Sequence, residues 1–539
     1  MLVWRVSTAR VRQAIGAVLI LAIVVGGAAF KWPEFFLQMG EDQGIFTYGG
    51  LLQLQGGGLL YRDFWETKPP LEYLVHGVVV LPIDKPWDKL FLGEAYTTPG
   101  QLALNFVDLV WSFATAAAVY AVARRWLMHE FALVAALLAI LNTNAVMLSQ
   151  EGSIAEKHLL LPITLAVLCF QKYESSRGAH WLVAAGSLVA VGVLFKQPAA
   201  MTGAALGATA LAVRMRAGEA VRERGARAVL LLAGFLMPIL VLGLWLLANN
   251  LVSDFWQQVI VFNLTQAATH PGDVVEDLVF RTKRVVSEAS GLLWLLAGVG
   301  SVLLLRLRRG VPRPTLWLVW ALASLGAILW GGGKLSQPYY LYVVPSFALL
   351  GGYAVQRIWL AASTRPIVGR TLIWSGLVVS CAILFVFGSV FQRRVTLRIL
   401  HERWPVTRMT SDVERLGFRL PKGGTMYIWG GETQLYLFSG ATPPTRHTHV
   451  FFLSYAHSTD PSYLDRRAEL MADLRRAPPD IILVDPRTRR VDPDGSMKLN
   501  LTSFPELQQF LAEQYGPYES MDEFHTYHRR LAGAGNGAF

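Results

Sequence analysis

The 539-residue chain is 53% hydrophobic and 16% charged, with a mean hydropathy of +0.38, which excludes an ordinary soluble domain and places the protein in a bilayer. Its net charge of +11 does not point to nucleic acid, because the basic residues sit where a multi-pass membrane protein needs them. The two cysteines, Cys169 and Cys381, fall inside apolar runs, which argues against a structural disulfide or a cysteine zinc site.

In chain order, apolar runs occur at roughly 12–30, 102–123, 131–148, 158–171, 180–195, 198–213, 228–248, 290–305, 315–330, 338–356 and 371–391. Most approach the length that crosses about 30 Å of hydrocarbon. With the N-terminus cytoplasmic, the inner turns carry Arg5, Arg10 and Arg12, then Arg124 and Arg125, then Lys172 and Arg177. The later inner turns hold the cluster from Arg214 to Arg227, then Arg306 to Arg313, then Arg365 and Arg370. Every inner turn is thus basic, as the positive-inside rule requires. The expected fold class is a polytopic α-helical membrane protein of about eleven transmembrane helices, residues 1–391, in the inner or plasma membrane. A small α/β domain, residues 392–539, follows on the extracytoplasmic side. The first run starts basic and ends in the small residues Gly26, Gly27, Ala28 and Ala29, as a signal peptide does. Its length, and the loop it tethers, favour a retained anchor.

Between the first two spans lies an outer loop of about seventy residues, Lys31 to Gly100, long enough to have work of its own. Its apolar spacing predicts two short helices along the membrane surface. Gly56, Gly57 and Gly58 should end the first, and Pro69 and Pro70 should start the second. The loop opens on the acidic pair Glu41 and Asp42 and continues through Gly58 to Asp63 into Lys68-Pro69-Pro70-Leu71, with Tyr73 close behind.

This combination resembles the C-type glycosyltransferases, the group of family 39 and protein O-mannosyltransferase-like enzymes that includes aminoarabinose and galacturonic acid transferases. The resemblance extends to a short outer loop with Glu151 and Glu156. It also covers a late outer loop, Gly331 to Tyr340, that holds Lys334, Tyr339 and Tyr340 and leads to Pro345. It implies a polyprenyl-phosphate sugar donor, an acceptor hydroxyl on a glycolipid, cell-envelope glycan or protein, and transfer with inversion.

Such a transfer needs a base for the acceptor, cations for the departing phosphate, and exclusion of water. Asp42 is the expected base, its pKa raised by partial desolvation near the headgroups. Glu41 is an auxiliary candidate, although helix neighbours point about 100° apart. The two prolines after Lys68 hold it extended towards a phosphate. Lys334, Tyr339 and Tyr340 are the other phosphate candidates, and Glu156, Glu151, Asp63 and His270 are candidates for sugar or acceptor. Arg281 shares a loop with His270, and Lys196-Gln197-Pro198 reads as a turn that ends a helix. No cofactor is certain. A divalent metal shared by Asp42 and Glu156 remains open, since lysines alone can serve a single phosphate.

Past Phe391 the pattern changes. Met426–Trp429 and Ile481–Val484 read as strands and 461–476 and 504–514 as helices, with no metal or nucleophile motif around His447 and His449. Acceptor binding, or covering the cavity, is the expected work of this segment. Two rival readings share the membrane. A lipid flippase or transporter predicts internal repeats and buried mid-span charge, of which Asp108 is the clearest case. A ligase or polymerase of lipid-linked glycans predicts outer-loop arginines.

Overall fold

The computed structural model describes residues 2–36, 39–88, 90–92, 95–149, 152–212, 221–268, 274–306, 315–330, 336–364, 389–401, 423–454, 461–486, 489–491, 497–499, 504–521 and 524–530, with 375, 386, 420 and 501. The chain opens with α1 (Leu2–Lys31), and a 3-10 turn at Trp32–Phe35 leads to α2 (Glu41–Leu54) and α3 (Leu71–Val80). A short antiparallel pair, β1 (Leu90–Leu92) and β2 (Ala95–Thr97), precedes α4 (Pro99–Ala123). Thr98 caps α4, its hydroxyl accepting the Gln101 N–H at 3.2 Å.

The helices that follow are α5 (His129–Thr143), α6 (Val146–Ser149), α7 (Ala155–His158), α8 (Leu160–Ser176), α9 (Ala179–Phe195), α10 (Ala200–Ala212) and α11 (Val221–Ala248). Then come α12 (Val252–Phe255), a π-turn at Trp256–Val261, α13 (Phe262–Ala268), α14 (Val274–Val285), α15 (Gly291–Leu305), α16 (Thr315–Trp330), α17 (Val344–Ser363) and α18 (Val390–His401). Helix thus occupies most of ten of the eleven predicted spans. The eleventh, 371–391, lies largely outside the described residues. Among the described residues, four helices are long and apolar enough to cross a membrane: Gln13–Phe35, Pro99–Ala123, Val221–Ala248 and Leu278–Leu305.

The run at 131–148 is not one helix. It breaks after Thr143, where the Asn142 amide and Thr143 hydroxyl bond back to the carbonyls of Leu138 and Ala139, both at 2.8 Å. Side chains that compete for backbone carbonyls in this way weaken a helix, and the chain turns at Asn144. The main apolar core lies among α4, α5, α8, α9, α10, α15, α16 and α17, with Trp317 and Trp320 fully buried in it.

The C-terminal segment forms a four-stranded sheet in the order β3-β4-β8-β7, from β3 (Met426–Trp429), β4 (Ile481–Val484), β7 (Glu519–Met521) and β8 (Phe524–His528). Strands β3 and β4 are parallel, pairing Met426 with Ile481, while β8 runs antiparallel to β4 and β7. Among the described residues four helices accompany it: α19 (Gln434–Ser439), α20 (Phe451–Ser454), α21 (Pro461–Arg476) and α22 (Pro505–Gln514). A separate antiparallel pair is formed by β5 (Arg489–Val491) and β6 (Met497–Leu499). Every residue of β3 and β4 is buried, as expected for parallel strands covered on both faces.

Candidate active site

The two predicted loop helices form, and close packing fixes their relation. A Cβ on Gly50 would stand 2.0 Å from the Tyr73 carbonyl oxygen, and one on Gly77 would stand 2.7 Å from the Gly50 backbone. Only hydrogen in place of a side chain lets α2 and α3 approach this far. Gly56, at φ +72°, turns the chain after α2, and Leu71 starts α3 directly behind the two prolines.

The loop between them carries Lys68 back to the first turn of α2. Lys68 Nζ donates to Asp42 Oδ1 at 2.8 Å and lies 4.6 Å from the centre of the Phe46 ring. The Asp42 side chain is 38% exposed and that of Lys68 18%, so the pair faces an opening. The loop backbone is fastened from several sides. Gln258 in the π-turn donates to the Tyr61 carbonyl at 2.6 Å and accepts the Glu66 N–H at 2.9 Å, and Asn263 donates to the Thr67 carbonyl at 2.8 Å. Tyr61 itself holds φ +74°, a left-handed conformation costly for a side chain of this size.

A second ion pair stands within electrostatic range of the first. Lys196, between α9 and α10, donates to Glu156 Oε1, and its ammonium lies 4.6 Å from the centre of the Tyr339 ring. Tyr339 stacks on Tyr342 with centroids 5.9 Å apart. Tyr342 also borders a small crevice, with room for little more than one water, together with Leu159, Ile163, Pro198, Met201 and Ala327.

The charges are mutually tuned. Burial alone would push the Asp42 carboxyl up, but the ammonium groups of Lys68 and Lys196 outweigh it and hold the carboxyl below the ordinary aspartate value. This reverses the expectation of a raised pKa, because the fold brings two ammonium groups to the carboxylate and their attraction exceeds the cost of its desolvation. Lys68 is raised in turn, burial being overcome by Asp42 and Glu66. Burial is likewise overcome at Lys196, raised chiefly by Glu156. Glu66 sits at about 2 despite burial, through Lys68 and a hydrogen bond from His449.

The structure therefore brings together Asp42, Lys68, Glu156 and Tyr339 of the sequence candidates and separates others. The Glu41 carboxylate lies instead against the C-terminal segment, where a Cβ on Gly431 would stand 2.6 Å from it. Asp63 stands apart from this cluster: its carboxylate accepts the Leu59 N–H at 2.8 Å and closes its own turn, with the side chain 43% exposed. Tyr340 is buried, its hydroxyl 2.7 Å from that of Thr282 on α14, so it pins that helix instead of sharing the Lys196 contact. Glu151, His270 and Lys334 lie outside the described residues. Lys196, read from sequence as a turn, and Glu66, inside the quoted motif, are the residues sequence reasoning missed. Among the described residues no three His, Cys, Asp or Glu side chains are grouped to hold a metal ion, and Asp42 and Glu156 each face a lysine.

The C-terminal segment closes on the same loop. The Trp65 ring enters its apolar core, 3.9 Å from Phe452 and 5.1 Å from Phe262, and the Trp65 N–H donates to the Arg446 carbonyl at 3.0 Å. His449 Nε2 stands 3.2 Å from Glu66 Oε2.

Residues 97–245 match the sequence profile of the dolichyl-phosphate-mannose-protein mannosyltransferases. No curated protein matches the chain by sequence. Among solved structures, ArnT from Cupriavidus metallidurans bound to undecaprenyl phosphate superposes with a TM-score of 0.60 at 14% identity, over 97% of this chain and 99% of that one. The apo oligosaccharyltransferase of Archaeoglobus fulgidus gives 0.50 at 12% identity, over 87% of this chain and 69% of that one. AglB from the same organism, in complex with an inhibitory peptide and dolichol-phosphate, gives 0.50 at 11% identity, over 90% and 74%. The chain has the C-type glycosyltransferase fold that its loop motif resembles.

Proposed function

We propose that this protein is a membrane glycosyltransferase that moves a sugar from a polyprenyl-phosphate donor to an acceptor hydroxyl on the extracytoplasmic face. The observation that carries this reading is the pair of neighbouring lysine–carboxylate contacts, Lys68 with the partly exposed Asp42 and, buried behind it, Lys196 with Glu156. Two ammonium groups can meet the charge left on a phosphate monoester as the sugar departs.

Asp42 acts as the base. In the free protein its carboxylate is quieted by Lys68, which makes it a weak proton acceptor. An entering phosphate competes for the ammonium and adds a like charge nearby, and both effects raise the basicity of Asp42 when the donor is in place. The acceptor hydroxyl then loses its proton to Asp42 as its oxygen attacks the anomeric carbon, and the phosphate leaves onto Lys68 and Lys196. Glu156, held by Lys196, is the carboxylate we assign to the sugar hydroxyls once the phosphate draws Lys196 away.

The test is mass spectrometry of the lipid that copurifies, paired with transfer of labelled sugar from a synthetic polyprenyl-phosphate monosaccharide. A monophosphate monosaccharide and measurable transfer are expected. A diphosphate oligosaccharide would replace this reading with ligation, and the absence of both lipid and transfer would overturn it.

A further inference from the structure

Glu66 and Lys68 are two residues apart on one rigid loop, and their charges lie close enough to shift each other. Lys68 nevertheless directs its hydrogen bond to Asp42, not to Glu66. The reason lies in how the Glu66 carboxylate is held. Oε1 accepts the Thr67 N–H at 2.7 Å and the Thr67 hydroxyl at 3.1 Å, while Oε2 faces His449 Nε2 at 3.2 Å. His449 is 2% exposed, its ring is 4.5 Å from that of Phe452, and the next residue, Val450, donates its N–H to the Gly430 carbonyl at 3.1 Å. The imidazole is therefore delivered by the fold of the C-terminal segment to a carboxylate that belongs to the helical body. Next to an acceptor-only carboxylate, Nε2 must carry the hydrogen.

We propose that His449 is a positioning residue which, by holding Glu66, prevents that carboxylate from capturing the Lys68 ammonium and so leaves Lys68 on Asp42, the partner from which an entering lipid phosphate must draw it. A buried anion that loses a donor turns to the nearest cation. Without His449 that cation is Lys68, and a Glu66–Lys68 pair competes directly with phosphate. The C-terminal segment thereby sets the donor affinity of the site through His449, which acts on Lys68 only by way of Glu66.

This inference rests on Lys68 as a phosphate ligand, so the experiment reads binding and not turnover. Undecaprenyl phosphate is titrated into the full-length protein in nanodiscs, and melting temperature is recorded alongside. His449→Ala is expected to weaken binding about tenfold, the loss of one hydrogen bond to a charged group. His449→Gln, which can still donate, should recover most of that loss. The decisive variant is E66Q in the H449A background: a neutral amide cannot capture the ammonium, so affinity should return to that of E66Q alone. If H449A binds as wild type does, or if E66Q leaves the H449A defect unrelieved, the inference is overturned. Failure of the wild-type protein to bind undecaprenyl phosphate would instead overturn the donor reading itself.

Discussion

Asp42 and Lys68 neutralise one another across 2.8 Å, and the carboxylate is nevertheless exposed enough to meet a substrate. Under the proposed mechanism Asp42 must be released before it can act as a base, and the donor phosphate is the group that releases it. Asp42→Asn keeps the shape and removes the base, so turnover should fall by about 10²- to 10⁴-fold with donor binding retained. Unchanged turnover would remove Asp42 from the mechanism. The pH dependence follows from the same charges. Lys68 and Lys196 hold the carboxyl below its ordinary value, so the acid limb of kcat/KM lies below the usual aspartate range. Replacing Lys196 with Gln removes one of the two cations, the carboxyl pKa rises, and the base protonates at a higher pH. The acid limb should therefore move to higher pH in K196Q; a shift the other way would contradict the pairing.

Among elements, α2 and α3 act as one unit because Gly50 and Gly77 leave no side chain between them. Gly50→Ala sets a methyl against the Tyr73 carbonyl, and overpacking of this kind costs about 1–3 kcal/mol. A lowered melting temperature with a larger fractional loss of transfer is expected, because separating the helices parts Asp42 from Lys68. A similar division of labour marks α7. Glu156 faces Lys196, whereas Lys157 and His158 turn to a buried network, Lys157 donating to Asp108 at 2.6 Å and His158 Nδ1 lying 2.9 Å from Glu72. Lys31 also pairs with Asp108 and with Glu34. Asp108, the clearest mid-span carboxylate in favour of a transporter, is thus matched by two lysines and ties α1, α4 and α7 together. Removing one partner from such a buried set is costly, which suits a structural role.

At the scale of the whole molecule, the C-terminal segment grips the loop that carries Lys68. Trp65 fills its core, Arg446 pairs with Glu469 at 2.7 Å and reaches Asp254 at 3.5 Å, and His449 meets Glu66. Deleting residues beyond about 395 should leave membrane insertion intact, since the apolar helices precede that point, while transfer is lost because the loop loses its outer wall. Full activity of the truncated protein, measured against its insertion by protease protection, would refute this.

The sequence by itself determined the class of the molecule, most helix positions and the surface-loop motif, because hydropathy, periodicity and proline or glycine punctuation are local properties. It also singled out Asp42, Lys68 and Glu156. Strands β7 and β8, the break at Asn144 and the turn role of Asp63 depend on partners distant in sequence or on local hydrogen bonds that periodicity does not register. Lys196 is the clearest instance: its neighbours describe a helix end, and only folding sets its ammonium on Glu156, 40 residues away, within range of Asp42. Tertiary structure decided the sign of the Asp42 pKa shift, since a charged group answers to whatever the fold places near it and not to its neighbours along the chain.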